Sequence, residues 1–138
     1  MAQQVSTVQS RIRTADALIS DAAADIGGIW PRASAWMLRI ALEESLRELW
    51  QAASPGMARV SLRAQLLVLP MFIGDDAAGE ARLLWSELSH TAHHHDYVLA
   101  PTVEELRRWE NAVRRVADAV DQRRKRPLTP SPVSTPTL

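Results

Sequence analysis

The sequence predicts an all-α fold, an antiparallel bundle of four or five helices, and three observations predict it. Apolar residues recur at alternating spacings of three and four along most of the chain. No segment shows the period-two alternation of a strand. The breaks between periodic segments are short and hold Gly or Pro. A length of 138 residues, 46% hydrophobic and 23% charged, suits one domain with one core.

The elements follow in order. Val5, Val8, Ile12, Ala15, Ile19, Ala22 and Ile26 form one stripe of a first helix that ends at Gly27-Gly28. Pro31 suits the first turn of a second helix, where its missing N–H costs nothing; Ala35, Leu38, Leu42, Ser45 and Leu49 face inward, and Ser54-Pro55-Gly56 stops it. A third helix is expected from Ala58 to Leu69, with Val60, Ala64, Leu67 and Val68 inside, before Pro70 and Gly74 break the pattern. A fourth begins near Asp75-Asp76, whose carboxylates suit a helix N-terminus, with the stripe Ala77, Ala81, Leu84, Leu88 and Ala92. Thr102 and Glu105 make a capping box for a fifth, carrying Leu106, Trp109, Val113, Val116 and Val120 inward. The five tryptophans, Trp30, Trp36, Trp50, Trp85 and Trp109, lie in or beside these apolar patterns and are expected in the core.

The bundle is expected over residues 3–121 and a disordered tail over 122–138, where a basic run gives way to repeated Pro, Ser and Thr. Arg123, Arg124, Lys125 and Arg126 make that tail the candidate contact for nucleic acid or a protein partner. Residues 1–121 hold 12 basic against 16 acidic side chains, about −4, so the body offers RNA no overall basic field. The absence of cysteine excludes disulfides and thiolate metal sites. MAQQVSTVQSRIR lacks a basic region followed by an apolar run, and no apolar run reaches the length of a membrane span, so a cytoplasmic location with no membrane contact is expected.

All four histidines fall in LSHTAHHHDY at 88–97. Imidazole transfers protons near neutral pH and binds metals, so chemistry is sought here first. At 100° per residue His95 lies about 20° from the core stripe, while His90, His93 and His94 point to the far side. Glu87, His90 and His94 share a sector of about 60° and are the candidate metal ligands; His93 and His94 are the candidate catalytic groups. Glu87-Leu88-Ser89-His90 has the Glu-x-x-His spacing of di-iron bundles, in a single copy, with Glu43, Glu44 or Glu48 as partial complements. The His-Glu-x-x-His order of zinc hydrolases is absent, and no nucleophile elbow surrounds Ser89, His90 and Asp96. Histidines at a helix end also satisfy the last carbonyls and line helix contacts.

Two segments, ASAWMLRIALEESLRELW at 33–50 and ELSHTAHHHDYVLAPTVEELRRWENAVRRVADAV at 87–120, resemble the second helix and the closing part of HEPN-superfamily bundles. The resemblance implies a helical bundle and a homodimer. In nuclease members an Arg and a His four to six residues later meet across the dimer to cleave RNA, the Arg stabilising phosphate charge and the His moving a proton. His93 or His94 matches the His; Leu88 or Ser89 stands where the Arg would be, and the nearest upstream Arg is Arg82.

The function these readings lead to is a non-catalytic interaction module without a cofactor, a homodimeric accessory or regulatory protein of the toxin–antitoxin or phage-defence kind that the resemblance implies. Its dimer face is expected on the fourth helix at Leu83, Glu87, His90 and His94, opposite the core stripe. The alternative is an enzyme, an RNA-directed nuclease or a metal-dependent protein using the cluster from His90 to His95.

Overall fold

The computed structural model describes residues 6–22, 30–92 and 100–126, and among them every regular element is helical. Four long helices, α1 (Thr7–Ala22), α2 (Trp30–Ala53), α5 (Asp75–Ala92) and α6 (Val103–Lys125), surround one core, and two short ones, α3 (Leu62–Val68) and α4 (Pro70–Ile73), cover one side. Counted as one element interrupted at Leu69-Pro70, α3 and α4 bring the total to five. None of these helices is long and apolar enough to cross a membrane.

The stripe of α1 is buried at Val8, Ile12, Ala15 and Ile19. Val5, Ile26 and Gly27-Gly28 lie outside the described residues. α2 carries Pro31 in its first turn and buries the five residues expected of it, together with Ser34, Ala41, Leu46 and Trp50. Its buried face is broader than one stripe because α1, α5 and α6 all pack against it. Each fully buried Leu on this helix is worth roughly 1.5–3 kcal/mol of transfer free energy.

The stretch after Ser54 departs from the expected single helix. A 3-10 turn, Pro55–Arg59, comes first. α3 then starts where the Ser61 hydroxyl accepts from the Ala64 N–H at 3.3 Å. Its inward residues are Gln65 and Leu66, followed by Leu69, whereas Val60 (41% exposed) and Leu67 (66%), both expected inside, face outward. The reason is Gln65, 9% exposed. Gln65 accepts from the Trp50 indole N–H at 3.0 Å and donates to the Met57 and Val60 carbonyls, each at 3.0 Å. With its amide satisfied, Gln65 can be buried and fixes which face of α3 turns to α2. Phe72 of α4 meets the Trp50 ring edge-on, centroids 5.0 Å apart. Gly74 turns the chain into α5 at φ +87°, a conformation that favours glycine.

α5 starts at Asp75-Asp76 as expected and buries Ala78, Ala81, Leu84 and Leu88, with Ala77 only half-buried. α6 is capped by Thr102, whose hydroxyl accepts from the Glu105 N–H at 3.1 Å, and all five of its expected core residues are buried. It does not stop near residue 121. It runs to Lys125, so Arg123, Arg124 and Lys125 form its last turn, and the chain beyond Arg126 lies outside the described residues. Basic side chains suit that end because they oppose the negative pole of the helix dipole.

Among the tryptophans, Trp50 and Trp109 are buried and Trp30 and Trp85 half-buried. Trp36 is 58% exposed, contrary to expectation. It is one helical step from Arg39, whose guanidinium lies 4.7 Å from the centre of the Trp85 ring.

Candidate functional site

The face of α5 turned away from the core holds the sequence-predicted candidates that the structure describes. Leu83 is 62% exposed and His90 is exposed. Glu87 is placed differently. Its carboxylate accepts from the Trp109 indole N–H at 2.6 Å, which puts it on the seam between α5 and α6 and not on an open face away from the core. One turn on, the Thr91 hydroxyl donates to the Glu87 carbonyl at 3.0 Å. His93, His94, His95 and Asp96 lie outside the described residues.

These placements bear on chemistry. The Trp109 N–H fixes one oxygen of the Glu87 carboxylate at the α5–α6 seam. Among the described residues no group of three His, Asp or Glu is placed to hold a metal ion. The Ser89 hydroxyl is buried without a hydrogen-bond partner, so it is not paired with the neighbouring imidazole.

A cleft of about 650 Å³ runs between α3 and α5. From α3 it takes Arg63, Leu66 and Leu67; from α5 it takes Arg82, Trp85, Ser86, Ser89 and His90. A second hollow of about 390 Å³ lies on the α6 side of α5, between Ser86, Glu87, His90 and Thr91 of α5 and Glu105, Arg108 and Trp109 of α6. Ser86 and His90 line both. They therefore stand on a ridge between two hollows. Sequence reading missed this cleft because it followed histidine and carboxylate spacing. The signal was present: Arg82, Trp85, Ser86, Ser89 and His90 repeat at i, i+3, i+4, i+7 and i+8, one helix face that is neither apolar throughout nor simply charged.

The remaining charges are largely tied into the scaffold. Glu110, 3% exposed, accepts from Arg107 at 2.9 Å and Arg114 at 2.8 Å. Arg107 also donates to Asp16 and to the Ser20 hydroxyl, binding α6 to α1. The hydrogen bond from Arg107 holds the Asp16 carboxyl below its ordinary value, and Asp16 in turn raises Arg107. Arg115 bonds Glu80 across α5 and α6, which raises its own pKa. At the far end, Arg124 pairs with Glu48 at 3.2 Å and Arg123 lies 5.8 Å from the Phe72 ring centre, while Lys125 and Arg126 are exposed.

No protein-family model matches this chain, and searches of curated proteins and of solved structures find no match.

Proposed function

We propose that this chain is a non-catalytic helical interaction module that works as a homodimeric accessory or regulatory protein, built as an antiparallel bundle. The antiparallel arrangement of α1 with α2 and of α1 with α6 is supported by Arg11 meeting Glu44 and Asp16 meeting Arg107, while Arg124 on Glu48 joins the late parts of α2 and α6. The toxin–antitoxin or phage-defence setting rests on the HEPN resemblance of residues 33–50 and 87–120.

The observation that carries the dimer is Leu83. An exposed leucine on a helix whose inward stripe is already complete is apolar surface that the same leucine of a second copy can cover. Such a surface closes on itself around a two-fold axis. Sedimentation velocity at micromolar concentration should report a dimer. Leu83→Glu, a change at an exposed position that leaves the core alone, should weaken it by about 2 kcal/mol or more, roughly thirtyfold in Kd, because a carboxylate would be desolvated without a partner. A wild-type monomer, or a Leu83→Glu dimer of unchanged strength, overturns the reading.

A further inference from the structure

The cleft between α3 and α5 carries charge that the scaffold does not use. Arg11, Arg39, Arg107, Arg114, Arg115 and Arg124 each pair with a carboxylate, whereas neither Arg63 nor Arg82 has such a partner among the described residues. The acidic groups on the neighbouring helix faces are engaged elsewhere, Glu43 by Arg39 at 3.3 Å and Glu87 by Trp109. Two guanidinium groups without a carboxylate partner among the described residues thus share one hollow on a body that is acidic overall.

Two further features belong to a binding site more than to a solvated surface. The Ser89 hydroxyl, in the cleft wall, is buried with its hydrogen-bonding capacity unmet. Leu66, Leu67 and Trp85 give the hollow an apolar middle, with Leu67 left 66% exposed. At about 650 Å³ the cleft is of the size that takes a small organic molecule.

We infer that this cleft binds a small phosphorylated organic molecule whose phosphate is gripped by Arg63 and Arg82 and whose apolar or aromatic body lies on Leu66, Leu67 and Trp85. A phosphate offers three oxygens to two planar guanidinium forks, a match that a single carboxylate fills less completely. Placement along α5 follows from the helix dipole. Its C-terminal end repels an anion, but the effect fades within the last turn, so the phosphate sits at the Arg82 end. Ser89 lies about 10 Å further along the axis, two turns away, and the exposed His90 beside it meets a polar group at the ligand's other end. The inference goes beyond the dimer reading and does not depend on it.

Titration calorimetry on the full chain with four probes tests it: phenyl phosphate, phenylacetate, inorganic phosphate and benzyl alcohol. Phenyl phosphate should bind saturably and at least about tenfold more tightly than any of the others, since only it has both a phosphate and a ring. Arg63→Gln and Arg82→Gln, both at exposed positions, should each weaken it by about tenfold, as loss of a charge-assisted hydrogen bond does, while Arg59→Gln outside the cleft should change nothing. The comparison of probes on the unmutated chain stands whatever the variants do. No saturation by phenyl phosphate up to about 10 mM, an equal affinity for phenylacetate or benzyl alcohol, or full affinity in both arginine variants overturns the inference.

Discussion

Gln65 is the side chain whose replacement reports most directly on how the α3 side of the molecule is held. Its amide makes three hydrogen bonds at 3.0 Å, one accepted from Trp50 and two donated to the carbonyls of Met57 and Val60. In Gln65→Leu the Trp50 N–H, on a ring only 1% exposed, loses its acceptor where water cannot replace it, at a cost of about 1–3 kcal/mol. The two carbonyls lie next to exposed backbone and rehydrate in part, so each adds only about 0.5–1.5 kcal/mol. Leucine returns some apolar burial, and the net expected loss is about 2–4 kcal/mol. For a domain of this size that is a fall in Tm of roughly 8–15 °C. Gln65→Glu should be worse near neutral pH, because a carboxylate would face two carbonyl oxygens, and should recover towards the Leu value as acid protonates it. Leu67→Gln is the matched control, since Leu67 is exposed, and should move stability by less than about 0.5 kcal/mol. Thermal melts followed by Trp fluorescence give all three. A Gln65→Leu variant within about 0.5 kcal/mol of the parent, or a Leu67→Gln variant that loses more than it does, would refute the account of which face of α3 is buried.

Three further outcomes are expected. Asp16 is held below its ordinary carboxyl value of 3.8 in the folded state by Arg107, so its contribution is present above that pH and is lost as pH falls towards its lowered value; Tm against pH should drop more steeply below about pH 4 in the parent than in Asp16→Asn, and parallel curves would contradict this. The bond from Trp109 to Glu87 should show in a double-mutant cycle of Trp109→Phe and Glu87→Ala as a coupling of about 1 kcal/mol, and additivity would mean that the seam is not held there. Ending the chain after Gln122 should lower Tm by about 3–8 °C relative to ending it after Arg126, because Arg123 over Phe72 and Arg124 on Glu48 are lost; equal melting points would place the end of the fold before Arg123.

What the sequence disclosed depended on how each element is held. α6 was legible in full at its start and along its stripe, because Thr102 caps it locally and Leu106, Trp109, Val113, Val116 and Val120 all meet the same core. Its end was misplaced because a run of basic residues was read as tail, although Arg123 and Arg124 find an aromatic ring and a carboxylate in space that no local pattern announces. α3 was read on the wrong face for a related reason. Periodicity treats Gln as outside and Leu as inside, and it cannot foresee that Trp50, fifteen residues earlier, would supply a donor for Gln65. Trp36 fails in the opposite direction, an apolar residue on a face that the described chain leaves uncovered.

The candidate site was legible only in part because its chemistry is shared between elements. The histidine cluster pointed to the right helix, but a helical wheel drawn on α5 alone puts Glu87 with His90 on a face away from the core. Trp109 of α6 removes Glu87 from that face by offering an indole N–H at 2.6 Å. What remains beside His90 is then set by the other neighbour, α3, which brings Arg63 and Leu67 to the same hollow as Arg82, Trp85 and Ser89. One helix thus has its acidic group drawn to one side and its basic and apolar groups opened to the other. That separation matters for the charge beside the cleft, because only residues three or four apart on a helix meet, and a Glu87 freed from Trp109 would have His90 within reach.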